Sequence, residues 1–156
     1  MAKIVLQFST ENNIGSKILH YYDHVWCSHV DAVMQDGGLL GAKLLGGVCI
    51  RKNQGFDKSL IVELPTTPEI YDKFYNFCQN QIGKPYDLVS LWAFVIERDI
   101  TDDDSWFCSE LIVVALDKAG YFPYPLFTKY NKVTPQNLLL LLNAFVPIGD
   151  PVSAVA

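Results

Sequence analysis

A chain of 156 residues, half of them hydrophobic and 13% aromatic, fits a single domain, 1–156, with a core of its own, which excludes a mostly disordered chain. Its net charge of −5, from 12 basic and 17 acidic residues with no basic stripe, argues against nucleic acid as a partner. No apolar run approaches the roughly 20 residues that a membrane helix needs, and the short run Ile4-Val5-Leu6 is too brief for a secretory signal, so a cytoplasmic protein without an integral membrane segment is expected.

In chain order, residues 3–8 read as a strand, and Ile14 to Tyr22 as a short helix from Ile14, Ile18 and Tyr21 or Tyr22 at helical spacing. Trp26 to Gln35 alternates, Asp36-Gly37-Gly38 is a turn, and Leu39 to Leu45 returns as the second arm of a hairpin. A bend at Gly46-Gly47 leads to Val48-Cys49-Ile50, and a polar turn from Lys52 to Gly55 leads to Ser59–Leu64, an antiparallel meander of about four strands. Helices then take over. Thr67-Pro68 opens one that runs through Cys78 and ends before Gly83, and Tyr86 to Ile96 forms another. The acidic loop Asp99 to Ser105 offers Asp104 or Ser105 as cap for a helix that begins near Trp106 and stops at Gly120, and Thr134-Pro135 starts the last, Gln136–Phe145. The class is α+β, strands first and helices after.

Four cysteines, at 27, 49, 78 and 108, show no CxxC spacing, and reduced thiols are expected. Cys108 stands apart in Trp106-Phe107-Cys108-Ser109-Glu110-Leu111-Ile112, at the first turn of an apolar helix. Unpaired backbone N–H groups and the positive end of the helix dipole favour a thiolate at such a place, so Cys108 is the candidate nucleophile. A nucleophilic thiol needs a base, and the strand Ser28-His29-Val30-Asp31-Ala32-Val33 carries an imidazole on one face. Asp31 shares that face by the period of two. At the usual strand spacing of roughly 6 to 7 Å it reaches His29 only if the two side chains lean together.

These segments resemble the circularly permuted papain-like amidases, the YiiX-like branch of the NlpC superfamily of cell-wall peptidases. The matching pieces are Ser28-His29-Val30-Asp31-Ala32-Val33, Gly83-Lys84-Pro85-Tyr86-Asp87, Phe107-Cys108-Ser109-Glu110-Leu111-Ile112 and Val133-Thr134-Pro135-Gln136-Asn137-Leu138, in the permuted order with the histidine strand ahead of the cysteine helix. The resemblance implies a papain-like antiparallel sheet packed against helices, Cys108 and His29 as a catalytic pair, and Tyr86 as a contributor near the oxyanion. It also implies a polar residue on the next strand to orient the histidine, and that position falls on Gly41, which has no side chain to do so. Asp31 is the nearest substitute in sequence.

The expected function is a cysteine hydrolase or acyltransferase acting on an amide or ester bond of a small-molecule, peptide or lipid-linked substrate, with no cofactor. Two other readings compete. Gly41 leaves room for a papain-like binding module without turnover. His20, His24, Cys27 and His29 fall within ten residues and suggest a zinc site, although their spacing fits no common zinc pattern.

Overall fold

The computed structural model describes residues 1–10, 26–43, 45–54, 56, 58–85, 107–126, 130 and 133–153. Six strands, β1 (Ala2–Thr10), β2 (His29–Val33), β3 (Leu39–Lys43), β4 (Gly47–Arg51), β5 (Lys58–Thr66) and the two-residue β6 (Val152–Ser153), form one antiparallel sheet in the order β4-β3-β2-β1-β5-β6. Among the described residues three helices, α1 (Pro68–Asn80), α2 (Cys108–Ala119) and α3 (Pro135–Leu142), join the sheet in an α+β architecture. The expected helices Ile14–Tyr22 and Tyr86–Ile96 lie outside the described residues.

The expected meander holds for β2, β3 and β4 but not for the fourth strand. β5 pairs with β1 along its whole length instead of with β4, from Ala2 opposite Thr66 to Thr10 opposite Lys58. That pairing makes β1 a central strand, and Ile4 and the run Leu6-Gln7-Phe8-Ser9 are correspondingly buried, whereas β5 alternates buried and exposed with one face in water. The outer edge of β4 is not left open. Val48 donates to Lys84 O at 2.9 Å and accepts from Gly83 N at 2.9 Å, so the chain leaving α1 docks there. Gly47 permits the approach: a Cβ at that position would lie 2.1 Å from Lys84 O.

Alternation divides the sheet into two sets. Ile4, Leu6, Phe8, Val30, Ala32, Leu40, Ala42, Leu60, Val62 and Leu64 join the buried residues of α1 and α2 in one apolar cluster. The other set is polar at its centre, with Gln7 opposite Asp31 and Ser9 opposite His29, yet all four are buried. The helix signals act as expected at α1, where Thr67 Oγ1 accepts from Ile70 N, and at α3, where Thr134 Oγ1 accepts from Asn137 N at 3.1 Å. Gly120, at φ 81°, closes α2 in the left-handed conformation. α3 is shorter than expected, ending at Leu142 with Asn143 as its cap.

Candidate active site

The start of α2 corrects the sequence expectation. The helix begins at Cys108, not near Trp106, and its N-cap is Phe107 in extended conformation. Phenylalanine brings no side-chain acceptor, so it caps none of the first-turn amides as Asp104 or Ser105 was expected to. Glu110 turns back to accept from Phe107 N at 3.3 Å, which fixes the chain entering the helix. Ser109, fully buried, donates from Oγ to Val133 O and ties the first turn of α2 to the entry of α3. Cys108 is thereby held as the first helical residue.

The helix packs along β2 and β3, and its tip meets the first residue of β2. Cys108 and His29, 79 positions apart in sequence, come close enough here for the sulfur to act on the imidazole charge. Both are withdrawn from water, Cys108 at 1% exposure and His29 at 5%. The ring is also engaged by a carboxylate. His29 Nε2 lies 3.0 Å from Asp31 Oδ1, and an ionised carboxylate only accepts, so Nε2 carries its hydrogen toward Asp31.

Asp31 therefore stands in the orienting place that strand spacing alone left out of reach, and the cause is tertiary. Arg51, at the end of β4, donates from Nη1 to Asp31 Oδ1 at 2.6 Å and from Nη2 to Asp31 Oδ2 at 2.7 Å. This two-pronged contact fixes the carboxylate plane. Across the sheet the β2–β3 register brings Gly41 beside Asp31, and a Cβ built on Gly41 would lie 2.1 Å from Asp31 Oδ1. The glycine that seemed to empty the orienting position is a notch that the Asp31 carboxylate fills. Gly41→Ala is expected to destabilise the fold by about 1–3 kcal/mol, because the carboxylate is pinned and cannot swing aside; urea denaturation measures this, and an unchanged midpoint would contradict the notch.

The charges of this chain act on one another strongly. Burial by itself would push the His29 pKa down, but the Asp31 carboxylate and the Cys108 sulfur outweigh it and raise the value from 6.5 to about 10. Burial would push Asp31 up, but His29 and Arg51 hold it below the usual carboxylate range. His29 thus binds its proton more tightly in the folded chain, and its stabilising contribution is complete below pH 6.5 and fades as pH climbs toward about 10. The contribution of Asp31 is complete above the ordinary value of 3.8 and fades as pH falls through its lowered one. Stability against urea is expected to peak between about pH 4 and 6.5, and a maximum above about pH 8 would contradict these shifts.

Other side chains frame the group. Gln7 and Asn53 exchange amide hydrogen bonds of 3.0 and 2.8 Å, which hold the segment after β4 beside Asp31. Ser9, opposite His29, keeps a buried hydroxyl that has no hydrogen-bond partner among the described residues. Cys27 is fully buried and donates from Sγ to Gln136 Oε1 at 3.4 Å. Burial, together with the nearby Cys108 sulfur, pushes its thiol up to about 12. Cys78 is likewise an inert core thiol, pushed up by burial. Arg51 was the residue that sequence reasoning missed, since a lone arginine at a strand end carries no signal of what lies across two strands.

Tyr86 lies outside the described residues, as do His20 and His24 of the zinc reading. Cys27 and His29 are described, but they engage Gln136 on one side and Asp31 with Cys108 on the other. Among the described residues no group of three or more His, Cys, Asp or Glu side chains is placed to hold a metal ion. Among them, too, no helix is long and apolar enough to cross a membrane.

No protein-family model matches the sequence, and no curated protein matches it either. Solved structures do. The crystal structure of the metalloprotein YiiX from Escherichia coli O157:H7 (DUF1105) superposes with a TM-score of 0.60 at 19% sequence identity, covering 97% of this chain and 87% of that one. The two proteins share a fold, and at this identity the likeness extends to the fold alone.

Proposed function

We propose that the chain is a papain-like cysteine hydrolase or acyltransferase in permuted order, cleaving an amide or ester bond through Cys108. The observation that supports this best is His29 between two partners, with the Asp31 carboxylate 3.0 Å from Nε2 and the Cys108 sulfur close enough to act on the imidazole charge. A structural histidine needs neither a thiol at a helix tip nor a buried carboxylate behind it.

His29 holds the proton in the resting pair, and the Cys108 sulfur attacks the carbonyl carbon as the thiolate beside the imidazolium. The oxyanion that forms is met by backbone N–H groups of the first turn of α2, where Phe107 supplies no competing side-chain acceptor. His29 then gives its proton to the leaving amine or alcohol, and the Cys108 thioester is released to water or to another acceptor nucleophile. Asp31 keeps the ring in the required tautomer and offsets the imidazolium charge. Burial keeps bulk water from weakening these interactions. Tyr86 is assigned a supporting place near the oxyanion by the resemblance.

The YiiX neighbour is called a metalloprotein. Among the described residues no set of three or more donors fits a metal at Cys108 and His29, whose Nε2 is engaged by Asp31.

A panel of small chromogenic esters and amides, followed by intact mass and peptide mapping, tests the proposal. The expected result is an acyl adduct on Cys108 that is absent from Cys108→Ala. Absence of both adduct and turnover across peptide, lipid-linked and small-molecule acyl donors would leave the binding-module reading in its place.

A further inference from the structure

We infer that Arg51 is a positioning residue for His29, acting through Asp31: its guanidinium fork turns the Asp31 carboxylate along the strand until Oδ1 meets Nε2. The geometric need is explicit. Two side chains on the same face of a strand, two residues apart, stand roughly 6 to 7 Å from each other, yet Asp31 Oδ1 and His29 Nε2 are 3.0 Å apart. Something has to hold the carboxylate in that lean, and the two Arg51 contacts of 2.6 and 2.7 Å are what the structure provides. Gly41 supplies the space and Arg51 the direction. Asp31 is wholly buried, and Arg51, at 16% side-chain exposure, reaches it from the rim of the sheet.

Arg51 also carries a charge that opposes the imidazolium through the shared Oδ1. Geometry and charge therefore act in opposite directions on His29, and a lysine separates them, because it keeps the charge and loses the fork. Among the described residues the groups that bear on His29 are Asp31, in direct contact, Cys108, Arg51 behind Asp31, and Cys27 near Cys108. The link from Arg51 to His29 runs through Asp31.

The kinetic half of this inference rests on the thiol-hydrolase reading of the site, whereas the titration half needs no substrate. The experiment follows the His29 Cε1–H signal by NMR against pH, assigned with His29→Gln, in the wild type and in Arg51→Lys. The Arg51→Lys midpoint is expected to fall by about one unit or more, a tenfold or greater loss of proton affinity, with a comparable drop in kcat at unchanged KM. Arg51→Ala is the second variant: its midpoint falls too and is restored by millimolar guanidinium but not by methylammonium. A wild-type midpoint in either variant overturns the inference, even where Cys108 proves to be a nucleophile. A lowered midpoint in a protein without turnover would sustain it while the proposed function fell.

Discussion

Asp31→Ala is expected to cost about 3–5 kcal/mol of folding stability, the range for removing one partner from a buried ion pair. The carboxylate is fully buried and is shared by His29 and Arg51, so its loss removes a partner from two groups at once. His29 would lose the larger of the two attractions that oppose burial, and its pKa would fall. Urea denaturation followed by circular dichroism gives the stability loss. A change below about 1 kcal/mol would show that Asp31 is not the hub of this group, since surface-like positions behave that way. Asp31→Asn separates shape from charge, because it preserves volume and one acceptor while removing the charge that holds both partners.

Cys108→Ala is expected to have the converse profile, with a small effect on the fold and a large one on chemistry. Alanine is a good helix former, and the residue lost is small, so stability is expected to change by no more than about 2 kcal/mol. Turnover of any ester or amide that the wild type accepts is expected to fall by at least about a thousandfold, the scale seen when a nucleophile is removed. His29→Ala is expected to match it in rate, because under the proposed function nucleophile and base act as one unit and their losses do not add. Steady-state assays on the three proteins decide this, and full activity in Cys108→Ala would exclude the thiol as the attacking group.

The three described helices were legible in the sequence because their ends carry their own chemistry. Thr67-Pro68, Thr134-Pro135 and Gly120 each satisfy or release backbone groups locally, and each does so where expected. The start of α2 escaped because a cap was sought among acceptor side chains, whereas the chain uses Phe107, with Glu110 reaching back from inside the helix. Strand pairing was legible only where a turn enforced it. The β2–β3–β4 run follows from tight connections, but the choice of β1 by β5 is a long-range preference that alternation does not encode. The two strands match in length and bury complementary apolar residues, which only the folded arrangement reveals.

The site divides along the same line. Cys108 at a helix tip and His29 on a half-buried strand could be singled out from local pattern, and the structure brings them together. Asp31 could be named but not placed, since its distance to His29 is set by Arg51, twenty residues on, and by the missing side chain of Gly41. Gly41 read as a loss when taken alone. Beside Asp31 it reads as space required by the carboxylate, and the meaning of that position lies in the pair.

The central claim is that Cys108 and His29 work as one chemical unit, and the pH dependence of alkylation at each cysteine tests it most directly. Native protein is treated with a small neutral alkylating agent over a range of pH, and the modified cysteines are mapped by mass spectrometry. The expected result is that Cys108 is modified first, ahead of the more accessible Cys49, and that His29→Ala abolishes this lead. Modification of Cys49 before Cys108 in the wild type, or a Cys108 rate unchanged by His29→Ala, would contradict the account.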